Sequence, residues 1–344
     1  MPDSPLNTGR KKLTVKERLR EPHILAEMVK LSLNQSSASQ KEFLQVLEGL
    51  AGAIRDMLEN AGLIHAVEID HRRMWAEVAG KPISFVDGGM ANVTSLGTEP
   101  IAVRVGSYTV TPGNAGEDRE TFNMEKQLVA ELFDTSSSKG IFDDLFEDPS
   151  KLRDAARFCL ETSAAVQCLE RHPKPEFLFL HGALVNPVSA YADQYFPAFS
   201  QRGIDILLPP QERNRKGREA TFVCVYLYML EALARSGANV ASVVERASAS
   251  MLVSTTLLRD LNKFPVSPGA TDLEAAVRRI RDFRIPDSLL FHAILNEGEY
   301  ITPVAVDRNV ESKRPQYSFD IIGLYPLPKV TYVGVGHFVQ PLRV

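Results

Sequence analysis

Residues 83–89 read Ile-Ser-Phe-Val-Asp-Gly-Gly, and residues 177–182 read Phe-Leu-Phe-Leu-His-Gly. Each is a short apolar run that delivers one polar side chain immediately before glycine. Ile83 to Val86 reads as a strand ending at Asp87-Gly88-Gly89. Phe177 to Leu180, apolar at every position, reads as a strand buried on both faces. In open α/β sheets ligands gather outside the carboxyl ends of such strands, where polar groups emerge from a rigid scaffold. Glycine after the polar residue lets the backbone turn and a ligand approach. Plainer readings compete with this one: Asp87 as the first residue of an Asp-Gly turn, and His181 as a hydrogen-bonded residue at a strand end.

Outward from these two strands, the pattern alternates. Ile101 to Val110 has β-branched residues at alternate positions and reads as a strand. A turn over Thr111 to Glu120 leads to an expected helix near Phe122 to Phe133 and a serine-rich loop at Thr135 to Gly140. Asp148-Pro149-Ser150 is a helix start, with a capping side chain and Pro at the first position. Leu152, Ala156, Cys159, Ser163 and Val166 mark that helix's face, and Pro173 ends it. Further helices are expected over Ala220 to Arg235, with Gly237 at the C-terminal cap, over Ser248 to Leu261, and from a capping Asp287 to Leu295. Strands are expected at Val240 to Val244, Tyr300 to Val306, Tyr317 to Leu324 and Val330 to Leu342. Val15 to Leu63 reads as helical, broken at Asn34 to Ser39. The order predicts an α/β mixed sheet flanked by helices, with an N-terminal helical segment over 1–80 and a catalytic-type domain over 81–344.

Composition narrows the class. The 344 residues are 44% hydrophobic and 24% charged, ordinary for a globular chain. Lys plus Arg is 39 and Asp plus Glu is 43, a net charge of −4, which excludes a surface that is basic all over. The longest apolar run, Phe222 to Leu230, stops at Glu231, well short of the roughly 20 residues a bilayer span needs. Cys159, Cys168 and Cys224 have no C-x-x-C spacing and read as reduced core cysteines of a cytoplasmic protein. There is no glycine-rich phosphate loop and no H-E-x-x-H helix.

Glu161 shares one helix stripe with Arg153 and Arg157. A surface salt-bridge ladder is one reading, although Arg before Glu is the weaker order for it. The other makes Glu161 a metal ligand over the sheet edge, with the arginines facing phosphate. Arg213-Asn214-Arg215-Lys216-Gly217-Arg218 is a dense basic loop, either simply solvated or a salt-sensitive phosphate contact.

Taken in order, Asp87-Gly88-Gly89, Arg157-Phe158-Cys159-Leu160-Glu161 and Phe179-Leu180-His181-Gly182-Ala183-Leu184 resemble the NurA nuclease domain. Asn239 to Arg246, Asp287 to Phe291, Gly298-Glu299-Tyr300 and Gln340 to Val344 continue the resemblance. It implies an RNase H-like fold and a nuclease dependent on Mn2+, or Mg2+, that acts on DNA ends. It further implies a homodimer working with a hexameric HerA-type ATPase in DNA repair or antiviral defence. Asp87 and Glu161 match acidic metal ligands of the family, and Arg246 stands where the family usually shows lysine. His181 stands where the family has Asp, as a third ligand or as an acid/base group. The chain stops at Val344, before the family's Tyr- and His-bearing helix, so a further C-terminal helix is expected. Arg104, Arg153, Arg157, Arg213, Arg215, Lys216, Arg218 and Arg246 are the candidate nucleic-acid contacts. A catalytically impaired adaptor of the ATPase and an RNA-directed nuclease are the alternatives.

Overall fold

The computed structural model describes residues 45–67, 70–92, 101–129, 132–134, 149–184, 196–216, 221–244, 252–261, 270–305, 329–334 and 342–344. A helix over 45–60 (α1) opens the described chain; the part of the helical reading from Val15 that precedes residue 45, with its break at Asn34 to Ser39, lies outside it. Two compact units part between Leu50 and Ala51. The second contains the sheets.

Strand β1 (Ile64–Ala66) and helix α2 (His71–Val78) come first. The central sheet is built from β2 (Ile83–Asn92), β3 (Ile101–Val110), β4 (Glu120–Val129), β5 (Phe177–His181) and β6 (Asn239–Val243). Their order is β4-β3-β2-β5-β6. Strands β2, β4, β5 and β6 all run in one direction, and β3 alone is antiparallel to them. That order and polarity define an RNase H-like sheet, the fold that the family resemblance implies. Helix α3 (Pro149–Leu169) makes the crossover from β4 to β5 and packs on one face of the sheet. Its buried stripe, Leu152, Ala155, Ala156, Cys159, Leu160 and Ala164, shares a core with Val86, Val103, Val105, Leu178 and Leu180. The alanines let the helix axis approach the strands closely.

Four expectations are corrected here. Residues 120–129 are a strand, not the helix expected near Phe122 to Phe133, because they pair with β3 along its length. The glycines of Asp87-Gly88-Gly89 make no turn: β2 continues through them to Asn92, pairing Asp87 with Gly106, Gly88 with Val105 and Gly89 with Arg104. Strand β5 is buried on one face only, Leu178 and Leu180 being covered while Phe177 and Phe179 are half-exposed. The strand expected over Val330 to Leu342 is three short pieces around undescribed residues, β9 (Lys329–Val330), β10 (Tyr332–Val333) and β11 (Leu342–Arg343). The expected strand at Tyr317 to Leu324 and the loop at Thr135 to Gly140 lie outside the described residues.

A bulge shapes β4. Val105 pairs with Lys126 and Gly106 with Met124, so Glu125 is the extra residue, and the bulge turns it inward. There its fully buried carboxylate meets Arg171 at 2.5 Å, just beyond the end of α3, and accepts from the Ser107 hydroxyl. This pair ties the helix terminus to the sheet.

Helices α4 (Gln201–Leu207), α5 (Pro210–Lys216) and α6 (Phe222–Arg235) follow β5. Thr221 caps α6, and Gly237 follows its end at φ +74°. Helices α7 (Leu252–Asp260), α8 (Ala270–Asp282) and α9 (Asp287–Ile294) precede β7 (Glu299–Ile301) and β8 (Val304–Ala305). A second sheet has the order β1-β7-β10-β11. Arg55 clamps it through a two-toothed ion pair to Glu299 at 2.9 and 3.0 Å. That hydrogen bonding holds the Glu299 carboxyl down at about 2. Among the described residues no helix is long and apolar enough to cross a membrane.

Asp287 does not cap its own helix, as expected from sequence. It is fully buried and accepts from the Val253 and Ser254 amides at 2.9 and 3.0 Å and from the Ser254 hydroxyl at 2.5 Å, so it caps α7. Asp287→Ala leaves those donors buried without an acceptor, and we expect a loss of about 2–4 kcal/mol. Urea denaturation measures it; a loss below about 1 kcal/mol contradicts the assignment.

Candidate functional site

Strand β5 pairs with β2 only as far as Val86 and Leu180. Beyond that point no described strand pairs with this edge of β2, and Gly88 lies on it. Here the rule that sites form beyond the carboxyl ends of parallel strands is met by the end of β5, not of β2.

Gly88 shares the face of Val86, toward α3, and Glu161 rests on it. A Cβ at Gly88 would stand 2.6 Å from Glu161 Oε1 and 2.8 Å from its Cγ. Glycine is therefore required here by close approach, not by backbone conformation. The Gly88 amide donates to Asp87 Oδ1 at 2.8 Å and also hydrogen-bonds the Glu161 carboxylate. One N–H thus sits between two carboxylates that reach it from opposite faces of the strand.

Their electrostatics differ. Glu161, with a side chain 14% exposed, has its carboxyl pushed up from the usual 4.5 to about 7. Burial is the main cause; Arg157 opposes it, the Asp87 charge adds to it, and the Gly88 amide opposes it. Arg157 Nε lies 3.9 Å from Glu161 Oε1, within ion-pair but not hydrogen-bond range. Its guanidinium also lies 5.3 Å from the centre of the Phe158 ring. The expected stripe of Arg157 and Glu161 is thus real, and it faces the sheet edge.

His181 ends β5 beside Asp87, its Nδ1 3.2 Å from Asp87 Oδ1. The two side chains are 54% and 66% exposed, so as an ion pair they add little stability. Gly182 then turns the chain at φ +92°. Asp87 therefore meets both of its expected companions, while Glu161 and His181 lie on opposite faces of the sheet. Among the described residues no three His, Cys, Asp or Glu side chains are placed to hold a metal ion together. Asp87 and Glu161, around the Gly88 cradle, are hard oxygen donors of the type Mn2+ and Mg2+ take, but as a pair they do not make a metal-binding group. His181 does not close on that cradle as a third ligand.

The basic candidates separate. Arg104 on β3 is exposed, opposite Gly89. Arg153 is half-buried on α3. Arg213 is engaged within the fold. It donates to the Leu208 and Asp205 carbonyls at 3.0 and 2.7 Å, closing the end of α4. The basic stretch expected as a loop is helical through Lys216. Nothing is described of the side chains of Arg215 and Lys216, and Arg218 and Arg246 lie outside the described residues. The sequence reading missed Tyr108, Phe122 and Met124, which line the sheet face that α3 leaves open. Alternation in β4 carried that signal, but a helix was expected there.

Fold and site together define an RNase H-like α/β protein with a carboxylate pair at the edge of its first central strand. No protein family and no curated protein matches the sequence. Among solved structures the chain is similar to the NurA nuclease from Sulfolobus solfataricus, at 11% identity and TM-score 0.49, over 92% of this chain and 79% of that one. It is also similar to a crystal structure of NurA, at 11% identity and TM-score 0.40, over 96% and 86% of the two chains. A third, a crystal structure of NurA with manganese, has 11% identity and TM-score 0.32, over 90% and 86%.

The raised Glu161 carboxyl makes a stability prediction. Because its folded value, about 7, exceeds the usual 4.5, the folded state holds this proton more tightly than the unfolded state. Stability from this group is complete below 4.5 and is lost as pH rises through 7. Glu161→Gln is therefore expected to stabilise the protein by about 3 kcal/mol at alkaline pH and by almost nothing in mild acid. Thermal melts across that range test this; a gain independent of pH removes the linkage.

Proposed function

We propose that this protein is a metal-dependent DNA nuclease that hydrolyses phosphodiester bonds at the Gly88 cradle. The observation that supports it is the sharing by Asp87 and Glu161 of one backbone N–H on β2 of an RNase H-like sheet. Such a pair of carboxylates, at a position where no side chain fits, concentrates negative charge that a divalent cation neutralises. Mn2+ or Mg2+ bound there would polarise a phosphate oxygen and lower the pKa of a water. Asp87 and Glu161 would hold the ion. Arg157, beside Glu161, is placed to meet a phosphate. His181 donates from Nδ1 to Asp87, which would leave its Nε2 lone pair to accept a proton from the attacking water. The motif resemblance extends this reading to a homodimer acting with a hexameric HerA-type ATPase on DNA ends.

A second reading, a catalytically impaired adaptor of such an ATPase, is favoured by one observation: His181 does not join the carboxylate pair to complete a set of three ligands. The assay is degradation of linear DNA by the full chain with Mn2+ or Mg2+, with and without the ATPase. We expect chelator-sensitive degradation that falls at least about 100-fold in Asp87→Ala and in Gly88→Ala, whose methyl group displaces Glu161. An absence of degradation under every one of these conditions leaves the adaptor reading. Degradation unchanged in Asp87→Ala rejects the assigned site.

A further inference from the structure

The face of the central sheet turned away from α3 carries aromatic side chains in register. Phe122 on β4, Tyr108 on β3, Phe85 on β2 and Phe179 on β5 form one row across four adjacent strands. Phe122 exposes 68% of its surface, Phe85 44% and Tyr108 39%. Phe85 and Phe179 stack with centroids 5.4 Å apart and planes 18° off parallel. The adjacent row holds Met124, Gly106 and Asp87, with His181 beside Asp87. At Gly106 an added Cβ would stand 3.0 Å from the Phe122 ring, so glycine there lets that ring lean over the sheet. Arg104 follows on the same face, opposite Gly89.

Folding does not account for this arrangement. Apolar rings left in water forgo the gain of burial, and a contiguous exposed patch marks an interaction surface. Four strands at about 4.8 Å spacing make a row about 14 Å wide. Sheets with such a row are suited to stacking two or three nucleic-acid bases. The charges agree. Glu120, at the edge of the row, is occupied by the Tyr108 hydroxyl and by Arg119 at 3.3 Å, and exposed Arg104 has no acidic partner among the described residues. Bases on the rings would direct phosphates outward, toward Arg104. A duplex, whose bases already stack on one another, has no free base faces to offer.

We propose that this face is a stacking platform that binds a single strand of DNA and feeds it to Asp87. The proposal rests on the nuclease reading for the identity of the strand, while the binding itself needs neither metal nor cleavage. The test is fluorescence polarisation of labelled oligothymidylate, oligouridylate and duplex DNA with the full chain in chelator. Oligothymidylate is expected to bind in preference to duplex and to oligouridylate. Phe122→Ala weakens it roughly 5- to 100-fold, the range for losing one base–aromatic stack. Arg104→Gln lowers the salt slope by roughly 0.7. Both positions are exposed, so thermal melts of the two variants should match the parent. Equal binding by Phe122→Ala overturns the platform, as does a preference for duplex or for oligouridylate. A Phe122→Ala change that alters only the oligomeric state also overturns it, in favour of a contact between copies. Asp87→Ala that binds oligothymidylate but fails to cut it supports both readings. A parent protein that binds through Phe122 and cuts nothing supports the platform and rejects the nuclease reading alone.

Discussion

The contact between Glu161 and the backbone at Gly88 is where the constraints on the central sheet meet. A buried carboxylate is tolerated only where something compensates its desolvation. Here the compensation is one shared amide and a guanidinium at 3.9 Å, which is incomplete, and the carboxyl rises to about 7. The site therefore works against folding stability. That is the usual relation between a functional constellation and the fold that holds it. Asp87, exposed and reaching the same amide from the other face, adds its charge to the strain.

What fixes this contact is the placement of α3. Along its length, alanine and cysteine let the helix settle on Val103, Val105, Leu178 and Leu180. At its end, the pair between Arg171 and Glu125 ties it to β4. A buried pair of this kind is weak evidence for stability but strong for register, because losing one partner leaves the other charge buried and alone. The bulge that turns Glu125 inward and the glycine that admits Glu161 are thus two ends of one docking arrangement. Helix α3 covers one face of the sheet. The opposite face keeps its aromatic side chains in water, and Asp87 and His181 stand at their margin. The sheet therefore separates two environments at a single strand, a dry side with Glu161 and a wet side with Asp87.

Much of this was legible in order along the chain. The strand at Ile101 to Val110 and the helix starting at Pro149 follow from alternation and from a proline-led cap, both local signals. The residues that meet at the site, Asp87, Glu161 and His181, were recognisable because each follows a short apolar run or shares a stripe with arginines. Other features were not legible, for reasons that are equally physical. Asp-Gly-Gly signals a turn in isolation, but a neighbouring strand with a matching ladder holds it extended. The 120–129 segment alternates only briefly, through Phe122 and Met124, and its partner β3 decides it. Asp287 looks like the cap of its own helix, and only packing shows that α7 is the one it caps.

By itself, the sequence determined the α/β class, most of the central strands and helices, and the side chains proposed to hold a cation. Those depend on interactions between residues close together in the chain. Only the tertiary structure decided that Gly88 is needed for space, that Glu161 and His181 lie on opposite sides of the sheet, and that Arg213 closes a helix. Each of these depends on what a distant segment places within a few ångströms, and no local pattern encodes that distance.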